Sequence, residues 1–272
     1  MTFQEKLSGI IEKKQSLLCV GLDTDINRIP DFLKSDPEPL FAFNKAIIEA
    51  TAEYAAAYKV NTAFYEACGA AGWEALEKTF AFLPDHTLNI ADAKRGDIGN
   101  TAKMYAKAIF EKLNADAVTL NAYMGKDTAE PFLADPEKGV FFLCLTSNPG
   151  SRDFQYFTDG DLKLYEKIAL TVNEWNVNSN CGLVVGATHP EELQHIRSIV
   201  PGLPFLIPGI GAQGGDLEKS VQYGLDKNGA GALFNSSRAI IYASADHEFA
   251  NAASAAAKDT RDALNKAKIK KM

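Results

Sequence analysis

The sequence predicts an α/β protein that folds as a single (β/α)8 barrel of the TIM type, with one domain over residues 1–272. Three observations support this prediction. The chain has 272 residues, a length that suits one barrel or one open α/β sheet. Eight short apolar runs alternate with stretches of helical periodicity, and no linker rich in Ser, Gly or Pro divides the chain. The alternation alone leaves an open, doubly wound sheet as the rival architecture.

The eight apolar runs are continuous in hydrophobic character and do not alternate with polar residues. Strands with this pattern are covered on both faces, as in a parallel sheet. We expect the region 148–161, which follows the fifth run and shows no clear pattern, to form a loop. The runs lie at residues 17–23, 55–61, 88–94, 117–122, 140–147, 182–187, 204–210 and 231–238.

Stretches of helical character lie between these runs. Residues 41–54 carry apolar side chains at helical spacing. The sequence Thr188-His-Pro-Glu191 predicts a capping box with a proline at the first helical position. Asp216 is expected to begin a helix that ends at a glycine cap, Gly224. The Ala-rich C-terminal segment predicts a final helix with an exposed polar face.

Composition and charge narrow the possible functions. The chain has 28 Lys and Arg against 35 Asp and Glu, a net charge of −7, and no basic patch of the kind that binds nucleic acid. The basic residues 266–272 are expected to form a frayed, solvated tail. No apolar run approaches the about 20 residues of a membrane helix, and the start lacks the features of a signal peptide. We therefore expect a cytoplasmic protein without nucleic-acid or membrane partners. Four scattered cysteines are expected to be buried thiols in a reducing compartment, namely Cys19, Cys68, Cys144 and Cys181.

Polar or charged side chains lie at the ends of most apolar runs. Active sites of (β/α)8 barrels lie at the carboxyl ends of the strands, and an unpaired buried charge there would be costly. If the strand ends converge at one mouth, at least two lysines and two aspartates meet and can pair. Such a cluster is either a structural ion-pair network or a functional site, and its repetition on most strands favours the site. The residues are Asp23, Lys59, Asn61, Asp92, Lys94, Asn121, Ser147, Pro208 and Arg238.

The stretch PGIGAQGGD, residues 208–216, follows the seventh run and opens a helix. Its glycines, Gly211 among them, leave backbone N–H groups open to an anion, and a helix N-terminus favours negative charge. Arg238, at the end of the eighth run, can add a bidentate contact to the same phosphate. Because the loops after strands seven and eight are the usual phosphate site of a barrel, these features predict a phosphorylated small ligand.

No Ser-His-Asp arrangement and no His/Glu cluster for zinc is evident in the sequence. A magnesium ion at the carboxylates is an open alternative, although Lys59 and Lys94 already supply positive charge there. The histidines are expected at the surface or at helix caps, and they are His86, His189, His195 and His247.

The motif Asp92-x-Lys94-x-x-Asp97 at the end of the third strand, with Lys59 at the end of the second, closely resembles the orotidine 5′-phosphate decarboxylase family. The resemblance spans residues 17 to 242, and the sequence ADAKRGDIGNTA is most similar to that of the longer bacterial subgroup of this family. In the related magnesium-dependent barrels, 3-keto-L-gulonate-6-phosphate decarboxylase and hexulose-phosphate synthase, the position of Lys59 is a Glu that helps to hold the metal. Lysine here argues against a metal and against those reactions. Further matching residues are Asp23, Ile98, Thr101, Ser147, Gln213 and Arg238.

The resemblance implies decarboxylation of orotidine 5′-phosphate to UMP in pyrimidine synthesis, with no cofactor and no metal. It implies that Lys94 stabilises and then protonates the carbanion at C6 of the pyrimidine, and that Asp92 lies near the substrate carboxylate. In the family the last Asp of the motif comes from the partner subunit. A homodimer is therefore implied in which Asp97 acts across the interface, with Ile98 and Thr101 beside it.

The remaining matched residues are expected to bind the substrate. Lys59 completes the alternating charge array. Together with Asp23 it would hold the ribose hydroxyls, and Asn61 would lie close to them. Ser147 would contact the pyrimidine. Arg95 receives no role and is expected to be solvated. The phosphate would be bound by Gly211, Gln213 and Arg238.

Overall fold

The structure is a computed structural model that describes residues 1–210 and 216–271. In this part of the chain eight parallel strands close into a barrel in the order β1-β10-β9-β8-β5-β4-β3-β2. The (β/α)8 prediction is therefore confirmed, and the open sheet is wrong. The barrel strands are β1 (Leu18–Gly21), β2 (Ala57–Asn61), β3 (Leu88–Arg95), β4 (Ala117–Leu120), β5 (Gly139–Leu145), β8 (Cys181–Val185), β9 (Phe205–Pro208) and β10 (Ala232–Ser236).

Helices connect the barrel strands and cover their outer face. A short antiparallel hairpin, β6 (Thr158–Asp159) and β7 (Leu162–Lys163), stands apart from the barrel. The helices are α1 (Phe3–Lys14), α2 (Pro39–Thr51), α3 (Thr62–Glu66), α4 (Gly69–Phe82), α5 (Gly99–Lys107), α6 (Lys126–Leu133), α7 (Leu164–Trp175), α8 (Pro190–Ile199), α9 (Leu217–Gly224), α10 (Arg238–Ile241) and α11 (Phe249–Lys271).

Each of the eight apolar runs contains or overlaps one barrel strand, so the strand predictions are confirmed. Every residue of β1, β4, β8 and β10 is buried. The reason is that one face of each strand points into the barrel and the other packs under a helix, which leaves no position for an exposed polar side chain. Polar residues are therefore concentrated where the strands end.

The helices at the two ends of the chain complete the packing around the barrel. Phe3, the first residue of α1, packs against Phe141 of β5 with ring centroids 5.7 Å apart. Its ring occupies the space that a Cβ atom at Gly139 would need. The last helix, α11, packs against α2, α9 and β1. It therefore covers the junction between the first and the last strands of the barrel.

The start of α8 differs from its prediction. The helix begins at Pro190, so the N-cap residue is His189, and no side chain caps it. The hydroxyl of Thr188 has no hydrogen-bond partner in the described chain. The predicted capping box is therefore wrong, because the proline at the first helical position places Thr188 one residue before the cap.

The start of α9 is as predicted, but its end is different. The Asp216 side chain accepts a hydrogen bond from the backbone N–H of Lys219 at 3.0 Å, so the predicted cap is confirmed. Gly224 is the last residue of the helix and is not a left-handed cap. A Cβ atom there would collide with Ile207 of β9. Glycine at this position serves close packing between helix and barrel.

The predicted loop at 148–161 is present and contains short elements, whereas the expected fraying of the C-terminal segment is wrong. The region 148–161 contains a 3-10 turn, Pro149–Asp153, and strand β6. Its backbone groups are therefore partly hydrogen-bonded, both within the segment and to β7. The basic C-terminal segment does not fray before Lys271, because α11 continues to that residue and Lys270 pairs with Glu218 at 2.9 Å.

The predictions about the cysteines and about membrane-spanning helices can also be compared with the structure. All four cysteines are free thiols; Cys19, Cys144 and Cys181 are buried, as predicted, and Cys68 is partly buried. Burial raises the pKa of the Cys19 and Cys181 thiols to about 12. No helix within residues 1–210 and 216–271 is long and apolar enough to span a membrane.

Candidate active site

A cavity of about 460 Å³ opens at the carboxyl ends of the barrel strands. Most of the polar residues predicted from the strand ends line it together. Asn121 is the exception, since it lines a neighbouring cavity and its side chain caps the turn after β4. The predicted residues in the wall of the first cavity are Asp23, Lys59, Asn61, Asp92, Lys94, Ser147, Pro208 and Arg238.

Four charged side chains form a connected array on one side of this cavity. The ammonium of Lys59 donates to Oδ1 of Asp23 at 3.1 Å and to Oδ2 of Asp92 at 3.0 Å. The ammonium of Lys94 donates to Oδ1 of Asp92 at 2.7 Å. The charges therefore alternate along the array, from Asp23 through Lys59 and Asp92 to Lys94.

The two lysines of the array differ in their access to solvent. The side chain of Lys59 is 6% exposed and that of Asp92 is 9% exposed, whereas that of Lys94 is 48% exposed. Asp92 is thus a buried carboxylate between two cations, and Lys94 is the cation that projects into the cavity mouth. A ligand in the cavity can reach the Lys94 ammonium without displacing the buried pair.

Burial and charge oppose each other at the centre of the array. Burial alone would raise the pKa of the Asp92 carboxyl, but the ammonium groups of Lys59 and Lys94 together hold it below its ordinary value. Burial alone would lower the pKa of Lys59, but the carboxylates of Asp92 and Asp23 raise it above its ordinary value. Both groups are therefore ionised at neutral pH.

An irregularity in β3 turns Lys94 toward the cavity. Pairing between β3 and β4 shifts register between Ala91 and Arg95, and Lys94 has a φ of 47°, in the left-handed region that only about a few per cent of non-glycine residues adopt. Thr119 of β4 supports this conformation. Its hydroxyl accepts from the backbone N–H of Lys94 at 3.0 Å and donates to Oδ1 of Asp92 at 2.8 Å.

Other parts of the cavity wall carry neutral polar groups. The side-chain oxygens Oγ of Ser147, Oγ1 of Thr188 and Oδ1 of Asn235 are buried and have no hydrogen-bond partner in the described chain. Buried polar atoms are rarely left unpaired. Ser147 packs over Gly186, where a Cβ atom would overlap its hydroxyl. These oxygens can pair with a bound ligand.

Besides Asn121, three predicted residues lie outside the cavity wall. Asp97 is partly buried, and its Oδ1 atom accepts from the backbone N–H of Ile98 at 2.8 Å. Ile98 is 59% exposed and Thr101 is exposed. Within the described chain these three residues do not contact the charged array. Asp97 and Ile98 lie between β3 and α5, and Thr101 lies in the first turn of α5.

The phosphate-site prediction is only partly covered by the structure. Arg238 is exposed, begins α10 and lines the cavity next to Ser237. Pro208 and Gly209 line the same side of it. The other predicted phosphate ligands, Gly211 and Gln213, lie outside the described residues.

Several cavity residues were not predicted from the sequence. The environment of Arg95 also differs from the one predicted. That guanidinium is partly buried, pairs with Glu66, donates to the carbonyl of Ala93 at 3.2 Å and packs over the ring of Tyr105. The expectation of a solvated side chain is wrong, because its partners come from neighbouring helices that the local sequence does not reveal. The missed cavity residues include Thr119, Thr146, Asn148, Thr188, Asn235 and Ser237.

None of the four histidines lines the cavity. His86 and His247 are exposed, as expected. His195 pairs with the buried carboxylate of Glu166 on α7 at 2.8 Å, and His189 precedes α8 without capping it. Within the described residues no three His, Cys, Asp or Glu side chains are grouped as metal ligands would be.

The sequence model of the orotidine 5′-phosphate decarboxylase / HUMPS family matches residues 16–253. The chain belongs to this family. A relative from Christiangramia forsetii, named orotidine 5′-phosphate decarboxylase, is 54% identical over 261 residues, which cover 94% of this chain and 95% of the relative. A relative of the same name from Janthinobacterium is 47% identical, with 98% and 99% covered. The solved structure of the OMP decarboxylase of Leishmania donovani matches with a TM-score of 0.86 and 42% identity, and 99% of each chain is covered.

Proposed function

We propose that this chain, as a single barrel domain, decarboxylates orotidine 5′-phosphate to UMP in pyrimidine synthesis without a cofactor. The observation that carries the proposal is the alternating array of Asp23, Lys59, Asp92 and Lys94 in the cavity of a barrel that belongs to this family. The names of the relatives support the same substrate.

In the proposed mechanism Lys94 acts on C6 of the pyrimidine. The bond between C6 and the carboxylate breaks, CO₂ leaves, and the electron pair stays on C6. The ammonium of Lys94 stabilises this charge and then transfers a proton from Nζ to C6, which gives UMP. Its accessibility at the cavity mouth and its 2.7 Å bond to Asp92 support this role.

Asp92 holds the lysine and faces the substrate carboxylate in this mechanism. Because its pKa is lowered, Asp92 is anionic when the substrate binds. Its repulsion of the substrate carboxylate would be relieved as CO₂ departs. We treat this repulsion as secondary to charge stabilisation by Lys94, since the size of such ground-state effects is disputed.

The remaining residues are proposed to hold the nucleotide. Asp23, Lys59 and Asn61 would bind the ribose hydroxyls, and Ser147 would bind the pyrimidine. The unpaired Ser147 hydroxyl supports its role, because a ligand would supply the missing partner. The phosphate would be bound by Gly211, Gln213 and Arg238.

We also propose a cytoplasmic homodimer in which Asp97 of each subunit completes the array of the other, with Ile98 and Thr101 beside it. Exposed apolar side chains on the segments after β3 and β4 support an interface there. Ile98 is 59% exposed, Met104 60% and Tyr123 90%. Large apolar side chains clustered on one face are typical of protein interfaces.

The first test measures UMP formation by the wild-type protein and by Lys94→Ala. We expect the variant to lose activity while it still binds UMP, because it keeps the binding residues. Lys13→Ala is a matched control, since Lys13 lies exposed on α1, outside the proposed interface, and makes no side-chain bond to the described residues. Wild-type activity in Lys94→Ala would refute the mechanism.

The same assay separates the proposal from a magnesium-dependent sugar-phosphate reaction, which the family description leaves open. Lys59 occupies the position where such barrels are expected to carry a metal-binding Glu. We therefore expect activity to be unchanged by EDTA. Absence of UMP formation, together with magnesium-dependent release of CO₂ from 3-keto-L-gulonate 6-phosphate that EDTA abolishes, would favour the second reaction.

Subunit exchange tests the shared site. Asp97→Ala and Lys94→Ala proteins are each expected to be inactive, and mixing them should restore part of the activity. A heterodimer would contain one site with both residues intact. Absence of any recovery, under conditions where labelled subunits demonstrably exchange, would contradict the role of Asp97 across the interface.

A further inference from the structure

The loop between β5 and α7 holds the end of β5 through one side chain, Gln155. Its Oε1 atom accepts a hydrogen bond from the backbone N–H of Thr146 at 2.8 Å, and its Nε2 atom donates to the hydroxyl of Thr146 at 2.8 Å. That hydroxyl donates in turn to Oδ1 of Asn148 at 2.6 Å. Gln155 therefore fixes both the backbone and the side chain of the first residue after β5.

Gln155 is itself held by the outer helices. Its carbonyl accepts from the N–H of Tyr165 near the start of α7 at 3.1 Å, and its N–H donates to the carbonyl of Ser151 at 2.8 Å. The neighbouring Tyr156 donates to Glu192 of α8 at 2.9 Å. These bonds give the loop a fixed position, so the side chain of Gln155 can act as a rigid support.

Ser147 follows Thr146 directly. Its hydroxyl is buried and has no hydrogen-bond partner in the described chain. Within the described residues no side-chain bond orients Ser147, so the direction of its side chain depends on the backbone that Thr146 provides. Gly186 leaves the space that the hydroxyl occupies, because any Cβ atom there would overlap it.

We propose that Gln155 is a positioning residue that holds Thr146 so that the Ser147 hydroxyl faces the pyrimidine of the bound nucleotide. This inference rests on the proposed function. Gln155 lines only the neighbouring cavity of about 720 Å³, Thr146 lines both cavities, and Ser147 lines only the candidate active site. Gln155 thus acts from behind the cavity wall and does not touch the substrate.

A double-mutant cycle on UMP formation tests this role. The variants are Gln155→Met, which keeps the length of the side chain and removes both bonds, Ser147→Ala, and the pair combined. We expect each single variant to lower kcat/KM about tenfold, the effect of one hydrogen bond. The loss should appear mainly in KM, because the contact exists in the ground state and in the transition state.

The combined variant decides between positioning and general stability. If Gln155 acts through Ser147, adding Gln155→Met to Ser147→Ala should change kcat/KM by less than about twofold. Thr158→Val is the control, since Thr158 lies exposed in the same loop and its hydroxyl makes no bond to the described residues. It should stay within about twofold of the wild type. Thermal melting of each variant shows that the folded protein is being compared.

Losses that multiply in the combined variant would overturn the proposal, and so would wild-type kinetics in Gln155→Met. If Gln155→Met does not fold, Gln155→Ala replaces it in the same cycle, with the same expected result. A wild-type protein that makes no UMP would refute the proposed function itself. Losses in kcat/KM that multiply in an enzyme that does make UMP would refute only the role of Gln155.

Discussion

Replacing Thr119 by valine removes one hydroxyl that Asp92 and Lys94 share. The hydroxyl donates to Oδ1 of Asp92 at 2.8 Å and accepts from the backbone N–H of Lys94 at 3.0 Å. Thr119 is 1% exposed, and valine has nearly the same shape. The substitution therefore removes these two bonds with little change in packing.

The expected magnitude follows from these two bonds. A hydrogen bond to a charged group contributes about 1.5–3 kcal/mol, and a buried N–H that loses its acceptor costs about 1–3 kcal/mol. We expect the free energy of unfolding to fall by about 3 kcal/mol. Lys94 would also lose the support for its left-handed backbone. Since a displacement of about 1 Å at a reacting group can cost 10²-fold in rate, kcat/KM should fall by about that factor.

The assay compares initial rates of UMP formation and urea unfolding curves for the wild type, Thr119→Val and Thr119→Ser. Serine keeps the hydroxyl and loses only a methyl group, so its kcat/KM should stay within about threefold of the wild type. Wild-type kinetics and stability in Thr119→Val would refute the reasoning. Equal losses in both variants would assign the effect to the missing methyl group.

Three further predictions concern other parts of the molecule. The lowered pKa of Asp92 contributes stability that is fully present above the ordinary aspartate pKa of 3.8 and is lost as the pH falls toward the pKa of Asp92 in the folded protein. In urea titrations between pH 6 and 3, the free energy of unfolding of Asp92→Asn should therefore fall less steeply with acid than that of the wild type. Arg197→Met should lower the free energy of unfolding by about 3–5 kcal/mol in urea denaturation, because the buried guanidinium donates to four backbone carbonyls. The kcat/KM of the folded variant should not change, since these carbonyls lie at the end of the barrel opposite to the candidate active site. Gly186→Ala should lower kcat/KM by tenfold or more in the UMP assay, because its methyl group would displace the Ser147 hydroxyl.

The strands could be predicted from the sequence because their signal is local. A strand buried on both faces is apolar over most of its length, so the eight runs mark the barrel directly. The convergence of polar residues at one mouth could also be predicted, since parallel strands end at the same side of a barrel. For this reason the Lys59 ammonium lies within 3.1 Å of a carboxylate oxygen of both Asp23 and Asp92.

The residues that support the array could not be predicted in this way. Thr119 is an ordinary β-branched residue within an apolar strand, so its sequence gives no sign of the two bonds it makes. The left-handed conformation of Lys94 depends on the register shift between β3 and β4. The partner of Arg95, Glu66, lies 29 positions away. Each of these features is set by contacts between elements, which no local pattern contains.

The balance of charge in the cavity explains how an acidic chain can accept an anionic nucleotide. The chain carries a net charge of −7, whereas the cavity wall in the described residues has three cations, Lys59, Lys94 and Arg238, against two carboxylates, Asp23 and Asp92, a difference of +1. The carboxylates lie against the lysines, while Arg238 is exposed and has no carboxylate within salt-bridge distance in the described chain. A phosphate would therefore be attracted to the side of Arg238, and binding energy gained there could offset the repulsion between Asp92 and the substrate carboxylate. Attraction of the phosphate to Arg238 would thus bring the substrate carboxylate close to the buried Asp92. The proposed phosphate site would therefore contribute to catalysis as well as to binding.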